Sequence, residues 1–334
     1  STQTYVLMVS ANDVTINAGG AINVDSKGYG PRTGSQANGY GPGAGISAYG
    51  YGGGAAHAGN GGGTNSATAI GGTAYCNINS LNTIGSSGAI GRGDPGETSG
   101  AGGGFFYLSV TNTLTVNGVI TADGGIGVNA GGGAGGGIKI YAGVIAGTPQ
   151  SFTITGGNAN TSEGTGGGGG GCSVIEYITS NTISATSSYF QMGGGYGYST
   201  GIRRGGAGGV LIKRVGTNGD FYLINGGSGA VSTVTTSVGS LLVDSAMVST
   251  SAKLYISSGV TFTVSSTNPF LGDGTGAIKV YGTLDTSKSS VIDNLGVELY
   301  SGGVFINTST INITSDGSLT INTSSVLSAT LNTL

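Results

Sequence analysis

The sequence predicts an all-β protein built as an elongated β-solenoid with long glycine-rich loop insertions. Three observations lead there. First, glycine supplies 73 of 334 residues and is clustered. Second, four glycine runs stop at a short apolar stretch: Gly102–Gly104 before Phe105-Phe106-Tyr107-Leu108, Gly135–Gly137 before Ile138-Lys139-Ile140-Tyr141, Gly166–Gly171 before Cys172-Ser173-Val174-Ile175, and Gly208-Gly209 before Val210-Leu211-Ile212-Lys213. Such recurrence is an internal repeat, and repeats of this kind stack so that each unit buries its apolar face against the next. Third, no window carries apolar residues at i, i+3, i+4 and i+7 over three turns, and glycine and β-branched residues both oppose helix.

The elements follow in chain order. Tyr5–Val9, Val14–Asn17 and Ile22–Asp25 are short strands of alternating character separated by polar or Gly-Gly breaks. Residues 27–104 form a glycine-, tyrosine- and serine-rich excursion carrying Tyr29, Tyr40, Tyr49 and Tyr51, each beside glycine. A structureless loop of that length does not suit a compact domain, so we expect a folded-back layer with tyrosine rings over closely approaching glycine backbone. Strands return at Leu114–Gly125, where an Asp-Gly-Gly corner offers positive φ. Phe152–Gly157 and Phe221–Gly227 repeat the later half of that unit.

Near residue 235 the texture changes. Only ten glycines lie in 235–334, and Ser, Thr and Asn take over. The expected organisation is therefore a glycine-rich solenoid over 1–235, with its Gly/Tyr layer at 27–104, and a Ser/Thr/Asn-rich tighter solenoid or β-rich region over 236–334. The end of the chain, from Ile306 through Leu319-Thr320-Ile321 to Leu327, is aliphatic on one side of the alternation and polar on the other.

Composition excludes several function classes. Charged residues make up 7%, against about a quarter in typical soluble proteins, and the net charge is −3. Eleven scattered basic residues form no patch that could neutralise phosphates, so no nucleic-acid partner is expected. No apolar run approaches 18 residues, and no membrane span is expected. The glycine runs are followed by neither Gly-Lys-Ser/Thr nor a helix start, so they are read as close backbone packing rather than phosphate loops. No cofactor is expected.

The segments "TINAGGAINVDSKGYG", "GAGGGFFYLSVTNTLTVNGVITADGG" and "GGGAGGGIKIYAG", within Val14–Gly143, resemble the glycine-rich repeat regions of large secreted β-helix proteins of bacterial and archaeal cell surfaces. The resemblance covers about two-thirds of the chain. It implies a right-handed parallel β-helix and a place outside the cell, and it carries no catalytic residues. This chain departs from the large members in being short and in lacking the glycine motif over its last hundred residues.

Candidate sites were weighed singly. Cys76 and Cys172 lie at strand edges beside glycine-rich segments. In an oxidising compartment they could form one long-range disulfide, and two buried thiols are the alternative. Adding the single His57 gives too few ligands for an ordinary metal site. His57 sits in a small-residue loop with no acid or nucleophile nearby, so it is expected to be a satisfied or solvated side chain. Most carboxylates sit where a turn would want them, Asp123, Asp273 and Asp316 before glycine and Asp220 after it, and turn chemistry explains these. Glu176 and Glu298 lie within strands without a paired acid, and glycoside hydrolysis needs two carboxyls. No enzymatic activity is expected. Asp273 in Gly272–Gly276 resembles one calcium turn without the repeated Asp that calcium turns need, and Arg92-Gly93-Asp94 is read as a chance tripeptide. Asn160, Asn307, Asn312 and Asn322 head Asn-x-Ser/Thr sequons and are candidate glycosylation sites.

Two functions fit these readings. The first is an extracellular, self-assembling structural subunit of a filament, sheath or layer. Its assembly strands would be Tyr5, Val6, Leu7, Met8 and Val9 at one end, and Leu319, Ile321 and Leu327 at the other, since neither terminus carries a charged or helical cap. The chain opens at Ser1 without methionine, which fits either removal of a signal peptide or an artificially trimmed sequence. The alternative is an adhesin or tail-fibre-like module binding cell-surface polysaccharide, with Tyr29, Tyr40, Tyr49, Tyr51, Tyr196 and Tyr198 as stacking platforms.

Overall fold

The structure is a computed structural model. It describes residues 6–64, 70–160, 165–183, 189–197, 203–224, 232–236, 240–265, 270–286 and 291–333. Tyr5 and Tyr198 fall outside them, as does the side chain of Asn160. Among the described residues the chain is nearly all β, its sole helical element being a 3-10 turn at Ile78–Ser80. The sheets are built mainly of parallel pairs.

The main sheet begins as a parallel ladder of Val6–Ala11, Phe105–Val116, Gly137–Ala146, Cys172–Asn181 and Gly208–Arg214. In register across it stand Val9, Leu108, Ile140, Ile175 and Ile212. Neighbouring residues of one strand face opposite sides. Phe105 joins one core cluster and Phe106 the other. On the inner strands one side, with Phe106, Leu108, Ile138 and Ile140, is fully buried and the other is only partly covered, whereas Val6–Ala11 at the margin is exposed on both. A second parallel set places Ile22, Ile120, Phe152 and Phe190 in line, with the two phenylalanine rings stacked at 4.8 Å.

Among the described residues, strand direction within the main sheet reverses once. Gly208–Arg214 pairs antiparallel with Asp220–Ile224, so that Leu211 faces Phe221, and Asp220–Ile224 then pairs parallel with Ser245–Ser249. The reversal at 214–220 comes before the composition change near 235, so the two do not coincide.

Beyond it, three parallel series recur. Leu241, Phe262, Leu284, Phe305 and Leu327 align, 21 or 22 residues apart. Ala246, Phe270, Ile292 and Ile313 form the second line, and Leu254, Ile278, Val297 and Leu319 the third. All three converge on one buried cluster. The alternation of the sequence explains this: one side of each strand carries the aliphatic residues, and stacking at fixed register buries them in files.

The glycine runs have a different geometry. Six consecutive amides rotate among three neighbours: Gly166 donates to Gly52 and Gly169 to Ala55, Gly167 to Arg203 and Gly170 to Gly206, Gly168 to Gly157 and Gly171 to Ile154. The run at Gly131–Gly136 does the same, to Ala89 and Ser86, to Gly166 and Gly169, and to Gly125 and Ala122. A return every third residue is the period of a polyproline II-type extended helix, which has no internal hydrogen bonds and turns its amides outward in three directions. No glycine of these two runs adopts positive φ. They are glycine because of closeness. A Cβ on Gly166, Gly167, Gly168 or Gly169 would run into the carbonyl of Gly62, Gly195, Gly133 or Gly59 respectively. The excursion at 27–104 belongs to this lattice through Gly52, Ala55, Ser86 and Ala89. Its tyrosines pack on glycine as well, Tyr29 against Gly41 and Tyr75 against Gly43.

Candidate functional site

The two cysteines and the single histidine, distant in sequence, meet in one buried cluster. Cys76 and Cys172 are joined by a disulfide across 96 residues, with Cα atoms 6.6 Å apart. This bond ties the glycine layer to the main sheet. His57 is fully buried, and its ring lies with one nitrogen and the two sulfurs all within 4.8 Å of one another. Its Nδ1 donates to the Gly136 carbonyl at 2.9 Å, which leaves Nε2 to accept from the Thr83 hydroxyl at 2.8 Å. Burial lowers its pKa to about 4, outweighing the hydrogen bond to Gly136. A metal would need deprotonated thiolates, and the closed disulfide provides none, so the cluster is a satisfied core. Tyr75 lies 5.1 Å from the His57 ring, and burial raises its phenol pKa. Its hydroxyl donates to the Ile84 carbonyl and accepts from Ser86. Tyr75 and Thr83 were not singled out in the sequence, since nothing local there signals their meeting with His57.

The carboxylates mostly join one layer to the next. Asp123 accepts from Thr155 N at 2.6 Å and Thr153 Oγ1 at 2.8 Å, and Asp25 accepts from Asp123 N. Asp273 accepts from Thr250 N and from both the amide and hydroxyl of Thr275. Burial alone would raise its pKa, but those hydrogen bonds win and hold it below the usual carboxylate range. The strand carboxylates face lysines in register: Glu176 with Lys213 at 2.9 Å, and Glu298 with Lys279 at 3.4 Å.

The tyrosines divide. Tyr29 and Tyr75 line a cavity of about 140 Å³ with Pro42, Asn82, Thr83 and Ile84. Tyr40 has Arg32 over its ring at 3.7 Å, and Tyr196 has Arg204 at 3.9 Å, so one face of each is covered. Tyr51 is half-buried, whereas Tyr49 is 78% exposed. A second tyrosine group was not anticipated. Tyr255, Tyr281 and Tyr300 stack at 6.0 and 4.7 Å with nearly parallel planes. They lie on adjacent parallel strands or just past their ends: the pairing of Val280 with Leu299 brings Tyr281 level with Tyr300, whereas Tyr255 pairs with Lys279 and meets Tyr281 diagonally.

Among the proposed assembly residues, Val6, Leu7, Met8 and Val9 are all exposed, Met8 at 67%. Among the described residues their strand pairs only with Phe105–Val116. At the other end Ile321 is exposed, while Leu319 and Leu327 pack on the core. One glycosylation candidate is corrected: Asn307 is 4% exposed, so its amide cannot carry a glycan on the folded chain. Asn322 is exposed and donates to the Leu299 carbonyl, and Asn312 is half-buried.

No protein-family model, curated protein or solved structure matches this chain. No helix among the described residues is long and apolar enough to cross a membrane.

Proposed function

We propose that the chain is a self-assembling structural subunit of an extracellular filament, sheath or layer. The observation that carries this reading is the Val6–Ala11 edge strand. It presents four consecutive exposed apolar residues and a row of backbone groups at the margin of a 15-stranded sheet. Such an edge is a template for another strand, and a second copy offering its Val326–Thr333 margin is the partner we assign.

Other features agree. The recurrence of three parallel strands every 19 to 24 residues supports a three-sided parallel β-helix over 240–333. The resemblance of Val14–Gly143 to glycine-rich surface proteins, which implies a parallel β-helix, agrees with this. A disulfide fits an oxidising, extracellular setting. Low charge and a hydrogen-bonded glycine lattice suit a passive, rigid element. The role is mechanical and needs no catalytic group.

Negative-stain electron microscopy of the purified chain at rising concentration, beside a Met8→Lys variant, tests the reading. Ordered filaments or sheets that the variant abolishes, without change in its circular dichroism, are expected. Single particles at every concentration would overturn it.

A further inference from the structure

Tyr49 combines backbone strain with exposure. It is the first central residue of a two-residue hairpin turn, Tyr49-Gly50, that joins Ser47–Ala48 to Tyr51–Gly52, with Ser47 opposite Gly52 and Ala48 opposite Tyr51. Both central residues have positive φ, +49° and +79°, as a type I′ turn requires. That turn strongly prefers Asn, Asp or Gly at its first position. The other non-glycine residues at positive φ among the described residues are Ser26, Asn129, Thr250, Ser251, Asn294, Ser315 and Ser324. All are small or polar, and Tyr49 is the one aromatic. Burial does not compensate it, since the ring is 78% exposed. A strained, bulky, solvent-facing residue directs attention to a contact outside the chain.

The turn is held from beneath. Ser47 donates its hydroxyl to the Ile90 carbonyl and its amide to Asn38 Oδ1 at 2.8 Å. Two further loops meet it. The Arg92 side chain runs along Gly50, its Cγ 3.3 Å from where a Cβ would stand there. Gly93 abuts Ser35 and the Gln36 amide. Gln36, Arg92 and Asp94 are exposed, and Arg92 Nε lies 3.6 Å from the same point beside Gly50, so the turn that carries Tyr49 has a guanidinium donor next to it and Gln36 on the adjoining loop. Arg92 is balanced by Asp94 and by Glu97, whose carboxylate accepts from Gly93 N at 2.7 Å. The loop therefore has no cationic excess with which to select a polyanion.

We propose that the Tyr49 turn is a contact site for neutral polysaccharide. The phenol ring stacks on the apolar face of a pyranose, while Gln36 and Arg92 donate to its hydroxyls. An outward tyrosine on a fixed base suits this task, since it supplies a broad apolar face and a polar tip at small entropic cost. The inference does not depend on self-assembly.

Affinity electrophoresis in native gels containing dextran, galactomannan, laminarin or arabinogalactan tests it, with alginate and heparin as polyanionic controls. The wild-type chain is expected to be retarded by at least one neutral polysaccharide. Tyr49→Asn fits the turn better, so it is expected to melt no lower than the wild type, yet to bind at least about tenfold more weakly. Tyr49→Phe keeps the ring and is expected to bind like the wild type. Four outcomes would overturn the proposal: no retardation by any neutral polysaccharide, retardation by the polyanions alone, equal binding by Tyr49→Asn, or a Tyr49→Asn variant that loses only self-association.

Discussion

Gly168 and Gly133 touch backbone to backbone, leaving no room for a methyl group on Gly168 against the Gly133 carbonyl. Neither belongs to a flexible side chain that could turn away. Gly168→Ala is therefore expected to destabilise by about 3 kcal/mol, at the upper end of overpacking costs. Gly296 is the control. Its φ is not positive and its nearest neighbour would lie 3.4 Å from a new Cβ, so Gly296→Ala should stay within about 0.5 kcal/mol of wild type. Urea midpoints of the two variants check the contrast, and equal midpoints would refute the close-packed lattice.

The Cys76–Cys172 bond closes a loop of about a hundred residues, for which chain entropy gives about 4–5 kcal/mol. The double variant Cys76→Ser/Cys172→Ser should melt well below the wild type. Thiol titration of the unreduced, unfolded wild-type chain should find no free thiol.

His57 gives a pH window. Its folded pKa of about 4 lies below the ordinary 6.5. The stability of its neutral, buried form is thus fully present above pH 6.5. It is lost as pH falls through that value, because the unfolded chain takes up a proton that the folded chain refuses. The loss levels off below about pH 4 and amounts to about 3 kcal/mol. Around His57 stand the bonded cysteines and a Tyr75 that stays protonated, so no neighbour titrates in that window. Since this is the chain's only histidine, His57→Gln should flatten stability between pH 6.5 and 4.5. A slope equal to the wild type's in chemical denaturation across that range would refute this account.

Tyr281 has a ring on each side. Tyr281→Ala should cost about 1–2 kcal/mol by removing two stacking contacts, and Tyr281→Phe under about 0.5. Thermal melts of the pair distinguish ring stacking from a role for the hydroxyl.

Strand composition and alternation made the β class legible, and the clustering of glycine pointed to backbone packing. Cys76 and Cys172 were visible as a candidate pair because they are the only two cysteines. His57 was placed in a satisfied or solvated loop, but its enclosure against their disulfide depends on contacts from Thr83, 26 residues away, to Gly136, 79 residues away. The tyrosine stack escaped notice because Tyr255, Tyr281 and Tyr300 have unequal spacings, and only the pairing of their strands brings the rings together. The threefold rotation of hydrogen bonds was invisible for a simpler reason: a run of identical residues carries no phase. Asn307 matched a sequon while its alternation set it inward, and the motif says nothing of which side faces solvent.

That rotation constrains how such a chain can change its length. Where every third amide answers the same neighbour, adding or deleting three residues keeps each later amide facing the same neighbouring segment, whereas one or two would turn it to the wrong one. Lineages of this protein should therefore differ in their glycine runs by multiples of three, a reading frame set by geometry rather than by codons.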